Sequence, residues 1–315
     1  MRVLVTGGAG FIGSHIADAL VARGDDVVVL DDLSNGVASN VPDGVELVEG
    51  DVRDPAAIDR AFEALGDADA VCHLAGQAST FRSFDEPAWD MDVNGVGTAR
   101  MLEGARRHGA GVFLYASSMT AYGDPAGLPV TEDMPSAPLS YYGITKWASE
   151  RAVLVSSRAE SMGLRTVSYR MFNVYGPRQS LTNPYQGVLG IFLGRVLRGE
   201  EILIFGDGEQ SRDFVYVEDV AKAWVAGLEA APEGGAVVNI GTGTRTSIND
   251  LWRGAVQACG QDPDAWDVSY RDERPGDQRH MQASIERARA LLGWDPTVGL
   301  DDGLKRTADW ARTAV

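Results

Sequence analysis

Val3-Leu4-Val5-Thr6-Gly7-Gly8-Ala9-Gly10-Phe11-Ile12-Gly13 is the stretch that most narrows what this 315-residue chain can become. A short apolar run enters a glycine turn, and Ser14 to Arg23 continues in a helical pattern. Strand, tight turn and helix in that order leave the first N–H groups of the helix unspent and present the positive end of its dipole to whatever the turn encloses. Glycines let a phosphate approach the backbone, so Gly7, Gly10, Phe11, Ile12 and Gly13 read as the cradle of a dinucleotide pyrophosphate. Asp31 closes the second apolar run, Val27 to Leu30. At that spacing a carboxylate accepts hydrogen bonds from the adenosine ribose hydroxyls and repels a 2'-phosphate, so NAD is expected rather than NADP.

Apolar runs and helical patterns alternate onward. Pro55 to Leu65 is helical, Ala70 to Leu74 a strand, Trp89 to His108 helical, Val112 to Tyr115 a strand, Tyr142 to Met162 helical, and Arg165 to Arg170 a strand. This rhythm predicts an α/β fold, a doubly wound parallel Rossmann sheet with a smaller C-terminal substrate-binding lobe. After about Tyr175, prolines and glycines break the pattern before a helix around Leu189 to Arg198 and strands at Ile202 to Phe205 and Val237 to Ile240. The division expected is an NAD-binding domain over residues 1–174 and a mainly substrate-binding lobe over 175–315, with a segment near 210–260 returning to the first domain.

With 45 acidic and 28 basic residues the formal charge is -17, which argues against a nucleic-acid partner. No run of eighteen apolar residues could span a bilayer, and the first residues read as a strand rather than a basic region before an apolar one. A cytoplasmic protein without a membrane partner is the expectation. Cys72 and Cys259 lie in apolar stretches without a CxxC pair and read as buried thiols, and the four histidines lack metal-ligand spacing, so no metal is expected.

Tyr142 and Lys146 stand four residues apart and share one helix face. Such a pair can supply a phenolate base. Bringing a free phenol from about 10 to about 7 requires roughly 4 kcal/mol. A cation about 4 Å away at an effective dielectric of 20 supplies about that much, and a positive nicotinamide ring adds to it. Upstream, the strand through Phe113-Leu114-Tyr115 ends in Ala116-Ser117-Ser118. A serine at the carboxyl edge of the sheet can bind a substrate hydroxyl and relay its proton.

The glycine loop, Asp31, Gly50-Asp51-Val52, His73-Leu74-Ala75-Gly76, Ser117 to Gly123, Tyr142 to Lys146, Arg170 to Arg178, Gly206-Asp207-Gly208, Arg212-Asp213-Phe214 and Arg274 to Asp277, in that order, resemble the extended short-chain dehydrogenase/reductase family. Within its NAD-dependent epimerase/dehydratase group, the chain looks most like the UDP-glucose 4-epimerases. The resemblance implies that Asp51 and Val52 flank the adenine, that Leu74, Ala75 and Gly76 border the pyrophosphate and nicotinamide ribose, and that Ser118, Tyr142 and Lys146 are the catalytic triad, with Tyr142 and Lys146 also touching NAD. It further implies that Ser118, Tyr142, Asn173, Val188, Phe205, Arg212, Arg274 and Asp277 hold the UDP-sugar, where arginines suit a diphosphate. The helices around Trp89 to His108 and Tyr142 to Met162 look like the pair that forms a homodimer's four-helix interface in this family.

Related sugar dehydratases carry an Asp-Glu pair directly after the serine or threonine, and UDP-glucuronate decarboxylases a Glu two places on. Here the positions are Met119 and Thr120, which cannot do that acid–base work. The reaction expected is reversible oxidation at C4 of a UDP-hexose through a transient 4-keto sugar, interconverting UDP-glucose and UDP-galactose. Alternatives are a UDP-N-acetylhexosamine or UDP-glucuronate 4-epimerase, the latter branch tending to carry arginine where this chain has Ser180, another NDP-sugar oxidoreductase, or a non-catalytic NAD-binding regulator. By resemblance the residue at Met281 lies near the sugar, where bulk discriminates against N-acetyl groups.

Overall fold

Apolar runs buried on both faces cannot serve as one-sided strands, and here they assemble into a sheet covered on both sides. The computed structural model describes residues 1–66, 68–159, 162–183, 187–273 and 278–314. Its strands are β1 (Arg2–Thr6), β2 (Asp26–Asp31), β3 (Glu46–Glu49), β4 (Ala70–His73), β5 (Val112–Ser118), β6 (Arg165–Met171), β7 (Asn173–Tyr175), β8 (Ile202–Phe205), β9 (Ser211–Arg212), β10 (Phe214–Tyr216), β11 (Ala236–Ile240), β12 (Thr246–Ser247) and β13 (Val268–Arg271). Seven form one sheet in the order β11-β6-β5-β4-β1-β2-β3, and every neighbouring pair is parallel. The expected doubly wound α/β architecture is the one adopted. The strand order reverses between β1 and β4, so the loops leaving them diverge and open a crevice at their carboxyl ends.

The helices are α1 (Phe11–Arg23), α2 (Pro55–Leu65), α3 (Thr80–Asp85), α4 (Pro87–Asp90), α5 (Gly97–Arg107), α6 (Tyr141–Arg158), α7 (Val188–Leu197), α8 (Val217–Ala230), α9 (Ile248–Ala258), α10 (Glu286–Leu292) and α11 (Leu300–Ala314). Alternation along the strands sorts the core into two layers. Val3 and Val5 pack with Ile16 and Leu20 of α1 and Val220 and Trp224 of α8. Leu4 faces the other way, with Ile58 and Phe62 of α2 and Met101 and Leu102 of α5. A third core lies beyond the sheet, where Phe192 of α7, Ile204 of β8, Trp252 of α9 and Leu304 of α11 meet.

Several details depart from the sequence reading, three of them with a plain physical reason. The helix expected over Trp89 to His108 is interrupted, because α4 runs into a π-helical turn at Met91–Val96 before α5 begins. Gly95 and Gly97, weak helix formers, flank the place where the ladder widens. Strand β3 escapes detection because it is a half-exposed sheet edge with glutamates at both ends, where solvent tolerates charge. Cys72 is buried in β4 as expected, whereas Cys259, at the end of α9, is only partly covered; both thiols are unpaired. No helix among the described residues is long and apolar enough to cross a membrane.

Candidate active site

The turn between β1 and α1 is built to hold an anion. Gly10 precedes α1 with no side-chain cap, and the first helical turn contains no acidic residue, so the N–H groups of Phe11, Ile12 and Gly13 have no intrahelical acceptor. Gly7 has φ +72°, and a Cβ on it would lie 2.7 Å from the Ala75 nitrogen at the end of β4. A Cβ on Gly13 would overlap the Gly7 carbonyl. Leu74 and Ala75 donate their N–H groups to the Thr6 carbonyl at 3.1 Å each, fixing the second wall of the crevice. Next to them His73 joins Thr6 Oγ1 at 2.7 Å and Thr98 Oγ1 at 3.0 Å. Burial pushes its imidazole down to about 3, so it is a neutral structural link.

Asp31 ends β2 at the rim of this turn. Its Oδ2 accepts the Ala9 N–H and its Oδ1 the Leu33 N–H, both at 2.9 Å. Burial raises its pKa in spite of those bonds. Asp51 is gripped by Arg53 through Nη2–Oδ2 at 2.6 Å and Nε–Oδ2 at 2.9 Å, which holds its carboxyl below the usual range. Asp31, Asp51, Val52, Leu74, Ala75, Gly76 and the glycine loop all border one cleft of about 1200 Å³.

Ser118, Tyr142 and Lys146 line the same cleft. Ser118 is the last residue of β5, and its Oγ accepts the Thr120 hydroxyl at 2.9 Å, so Thr120, where the dehydratases carry a carboxylate, orients the serine. Tyr142 stands at the start of α6, whose first turn is capped by Ser140 Oγ accepting the Gly143 N–H at 3.1 Å. Farther along α6, the buried Glu150 binds Arg170 of β6 at 2.7 Å and the Ser117 hydroxyl at 2.7 Å, anchoring the helix to both strands. Burial pushes the Tyr142 phenol up to about 12, although the facing Ser118 hydroxyl pulls the other way. Burial lowers Lys146 to about 8, with Asp90 opposing. The ammonium is 6.0 Å from the centre of the Tyr142 ring.

Asn173, Val188, Phe205 and Arg212 border the cleft as well. Arg274 and Asp277 lie outside the described residues. Arg212 is buried, and its Nη1 donates to the Ser211 carbonyl at 2.9 Å. Three residues that line the cleft, Asn173, Gln179 and Gln210, each carry a carboxamide oxygen that is buried without a donor among the described residues. An unmade hydrogen bond of this kind costs about 1–3 kcal/mol, so they fit a ligand rich in hydroxyl or N–H donors. Gln179 and Gln210 were not singled out from sequence; the one signal was their place beside the Gly-Pro-Arg and Gly-Asp-Gly motifs. Met281 is a correction: it is wholly enclosed in the core and contributes nothing to the cleft, because its strand-like segment turns the side chain under β9 into the apolar layer.

A sequence profile described as the "NAD dependent epimerase/dehydratase family" matches residues 3–241. The UDP-glucose 4-epimerase of Mycolicibacterium smegmatis is 40% identical over 319 residues, covering 99% of each chain. Among solved structures, the UDP-glucose 4-epimerase of Thermotoga maritima with UDP-glucose is 39% identical, with a TM-score of 0.94 over 100% of this chain and 99% of the other. The UDP-glucose 4-epimerase of Thermus thermophilus in complex with NAD is also 39% identical, with a TM-score of 0.92 over the whole of both chains. With the glycine cradle, the Ser-Tyr-Lys cluster and these likenesses in hand, the chain belongs to the NAD-dependent epimerase/dehydratase family.

Proposed function

We propose that the protein is an NAD-dependent epimerase acting at C4 of a UDP-hexose and interconverting UDP-glucose and UDP-galactose. The observation that carries this reading is that Ser118, Tyr142 and Lys146 line one cleft together with the glycine cradle and with Asn173, Gln179 and Gln210, whose carboxamide oxygens lack a donor among the described residues. The cradle fits NAD: Gly7 and Gly13 have no room for a Cβ against Ala75 and the Gly7 carbonyl, so the turn stays tight, its free N–H groups await a pyrophosphate, and Asp31 offers acceptors to ribose hydroxyls. Gly7, Gly10, Phe11, Ile12, Gly13, Asp31, Asp51, Val52, Leu74, Ala75 and Gly76 would hold it. Bound there, NAD supplies a reversible hydride acceptor and a second positive charge to the site.

The chain's own groups do the rest. Tyr142 takes the proton of the 4-hydroxyl, directly or through Ser118, which Thr120 orients, and returns it after the 4-keto sugar has turned within the site. Lys146 contributes the fixed positive charge that favours the phenolate. Arg212, with Arg274, neutralises the diphosphate, and Asn173, Val188, Phe205 and Asp277 hold the nucleotide half. We assign NAD binding mainly to residues 1–174 and substrate binding mainly to 175–315, with the stretch near 210–260 shared.

A homodimer accompanies this reading. Ile144, Ala148, Arg151 and Val155 form an exposed stripe along α6, and Met91, Val96 and Ala99 lie exposed on the adjoining π turn and α5. Val155 is 61% exposed, unusual for an aliphatic side chain in mid-helix. The proposed setting is the cytoplasm, consistent with two unpaired thiols.

The test is to incubate purified protein, without added NAD, with UDP-glucose, UDP-galactose, their N-acetyl forms and UDP-glucuronate, and to identify products by NMR. Interconversion of the first two is expected. Turnover of only an N-acetyl or uronate sugar moves the assignment within the family, and net NADH formation or an inert protein overturns it.

A further inference from the structure

Behind the catalytic helix lies a carboxylate that the chemistry above does not use. Asp90, the last residue of α4, is wholly buried. Its Oδ2 accepts the Thr145 hydroxyl at 2.6 Å, and its Oδ1 accepts Gln77 Nε2 at 2.6 Å and Asn94 Nδ2 at 3.3 Å. None of these donors is charged, and a buried acidic side chain without a charged partner is costly away from water unless a cation lies within reach. The cation is Lys146, the residue after Thr145, itself buried. Asp90 is the group whose field favours the lysine's charged form against burial.

The remaining neighbours of the ammonium do not replace it. Tyr115 of β5 presents its ring at 5.4 Å, and Tyr142 of α6 lies at 6.0 Å. His73 of β4 is neutral. A Cβ on Gly76 would stand 3.1 Å from the lysine nitrogen and 2.7 Å from Asn94 Oδ1, so the loop after β4 adds only an uncharged wall. Glu150 of α6 is spent on Arg170.

We propose that Asp90 is a positioning residue for the reaction: its buried carboxylate keeps Lys146 charged on the buried wall of the cleft and, through Thr145, fixes the turn of α6 that bears both Lys146 and Tyr142. The consequence for turnover rests on the epimerase reading, whereas the charge coupling does not. Activity alone does not isolate the effect, since the same carboxylate also opposes ionisation of Tyr142. The decisive readout is therefore Lys146 itself.

The chain has only three lysines, Lys146, Lys222 and Lys305, so protein labelled at lysine Cε with ¹³C gives three assignable signals, that of Lys146 identified by its loss in Lys146→Met. In ligand-free Asp90→Asn the Lys146 titration midpoint should fall by about one pH unit or more relative to the unsubstituted protein, with Lys222 and Lys305 unmoved. On UDP-glucose, kcat should drop at least about tenfold with KM held within about twofold. Asp90→Ser serves as a second neutral variant should Asn impair folding. An unchanged midpoint in a folded variant of either kind, or an unchanged kcat, overturns the proposal. A midpoint that falls in a protein turning over no UDP-sugar supports the coupling and removes the epimerase reading instead.

Discussion

Lys146 and Tyr142 share one face of α6, yet the ammonium stands 6.0 Å from the centre of the phenol ring. An ammonium about 4 Å from the phenol oxygen supplies about 4 kcal/mol at an effective dielectric of 20, roughly what a free phenol needs to ionise near pH 7. More is needed here, because burial has already pushed Tyr142 up to about 12. The phenol of the ligand-free protein therefore keeps its proton, and the base forms only when further positive charge enters the cleft.

Tyr142→Phe removes the proton acceptor while leaving the ring in place. Turnover of UDP-glucose should fall by about 10²-fold or more, while UDP binding measured by calorimetry stays within about threefold. Near-normal turnover assigns the base elsewhere.

Lys146 makes stability depend on pH in a direction that can be worked out. Its pKa falls from an ordinary value near 10.5 to about 8 on folding. Between those values the unfolded chain holds a proton that the folded one has lost, so the stability cost of burying the ammonium is complete below pH 8 and fades as pH rises toward 10. Ligand-free Lys146→Met should thus gain most over the unsubstituted protein at pH 7, and the gap should shrink by about 2–3 kcal/mol by pH 10. Urea unfolding at pH 7, 8.5 and 10 tests this, and a constant gap contradicts it.

Asp31→Ser should weaken NAD binding about tenfold, for two reasons. It deletes acceptors for ribose hydroxyls, and it releases the Ala9 N–H that ties the glycine loop to β2. Removal of the negative charge should also raise affinity for NADP relative to NAD. Titration with both cofactors checks the pair of effects; an unaltered preference places the ribose elsewhere.

Charging the exposed stripe of α6 tests the dimer. Ile144→Glu with Val155→Arg alters positions that are 40% and 61% exposed, so folding should survive. Sedimentation should show a dimer for the unsubstituted chain and a monomer for the double variant.

Local spacing carried much of this protein's identity. The cradle from Gly7 to Gly13, Asp31 at the end of β2 and the four-residue step from Tyr142 to Lys146 are dictated by strand and helix periods, which contiguous sequence displays. The buried strands β1, β2, β4, β5, β6 and β11 of the central sheet were legible for the same reason, while the half-exposed edge β3 and the π turn at Met91–Val96 were not, since neither departs far enough from an ordinary pattern. Only tertiary packing decided that Asp90, Gln77, Asn94 and Thr145 meet behind the site, that the cleft-lining Gln179 and Gln210 bury oxygens without a donor among the described residues, and that Met281 is enclosed. Depth and partnership arise from segments distant in the chain; Thr145 reaches Asp90 across 55 residues. Periodicity can say which way a side chain leaves its own helix or strand, but the dielectric and the charges it meets come from elements that the chain brings back later.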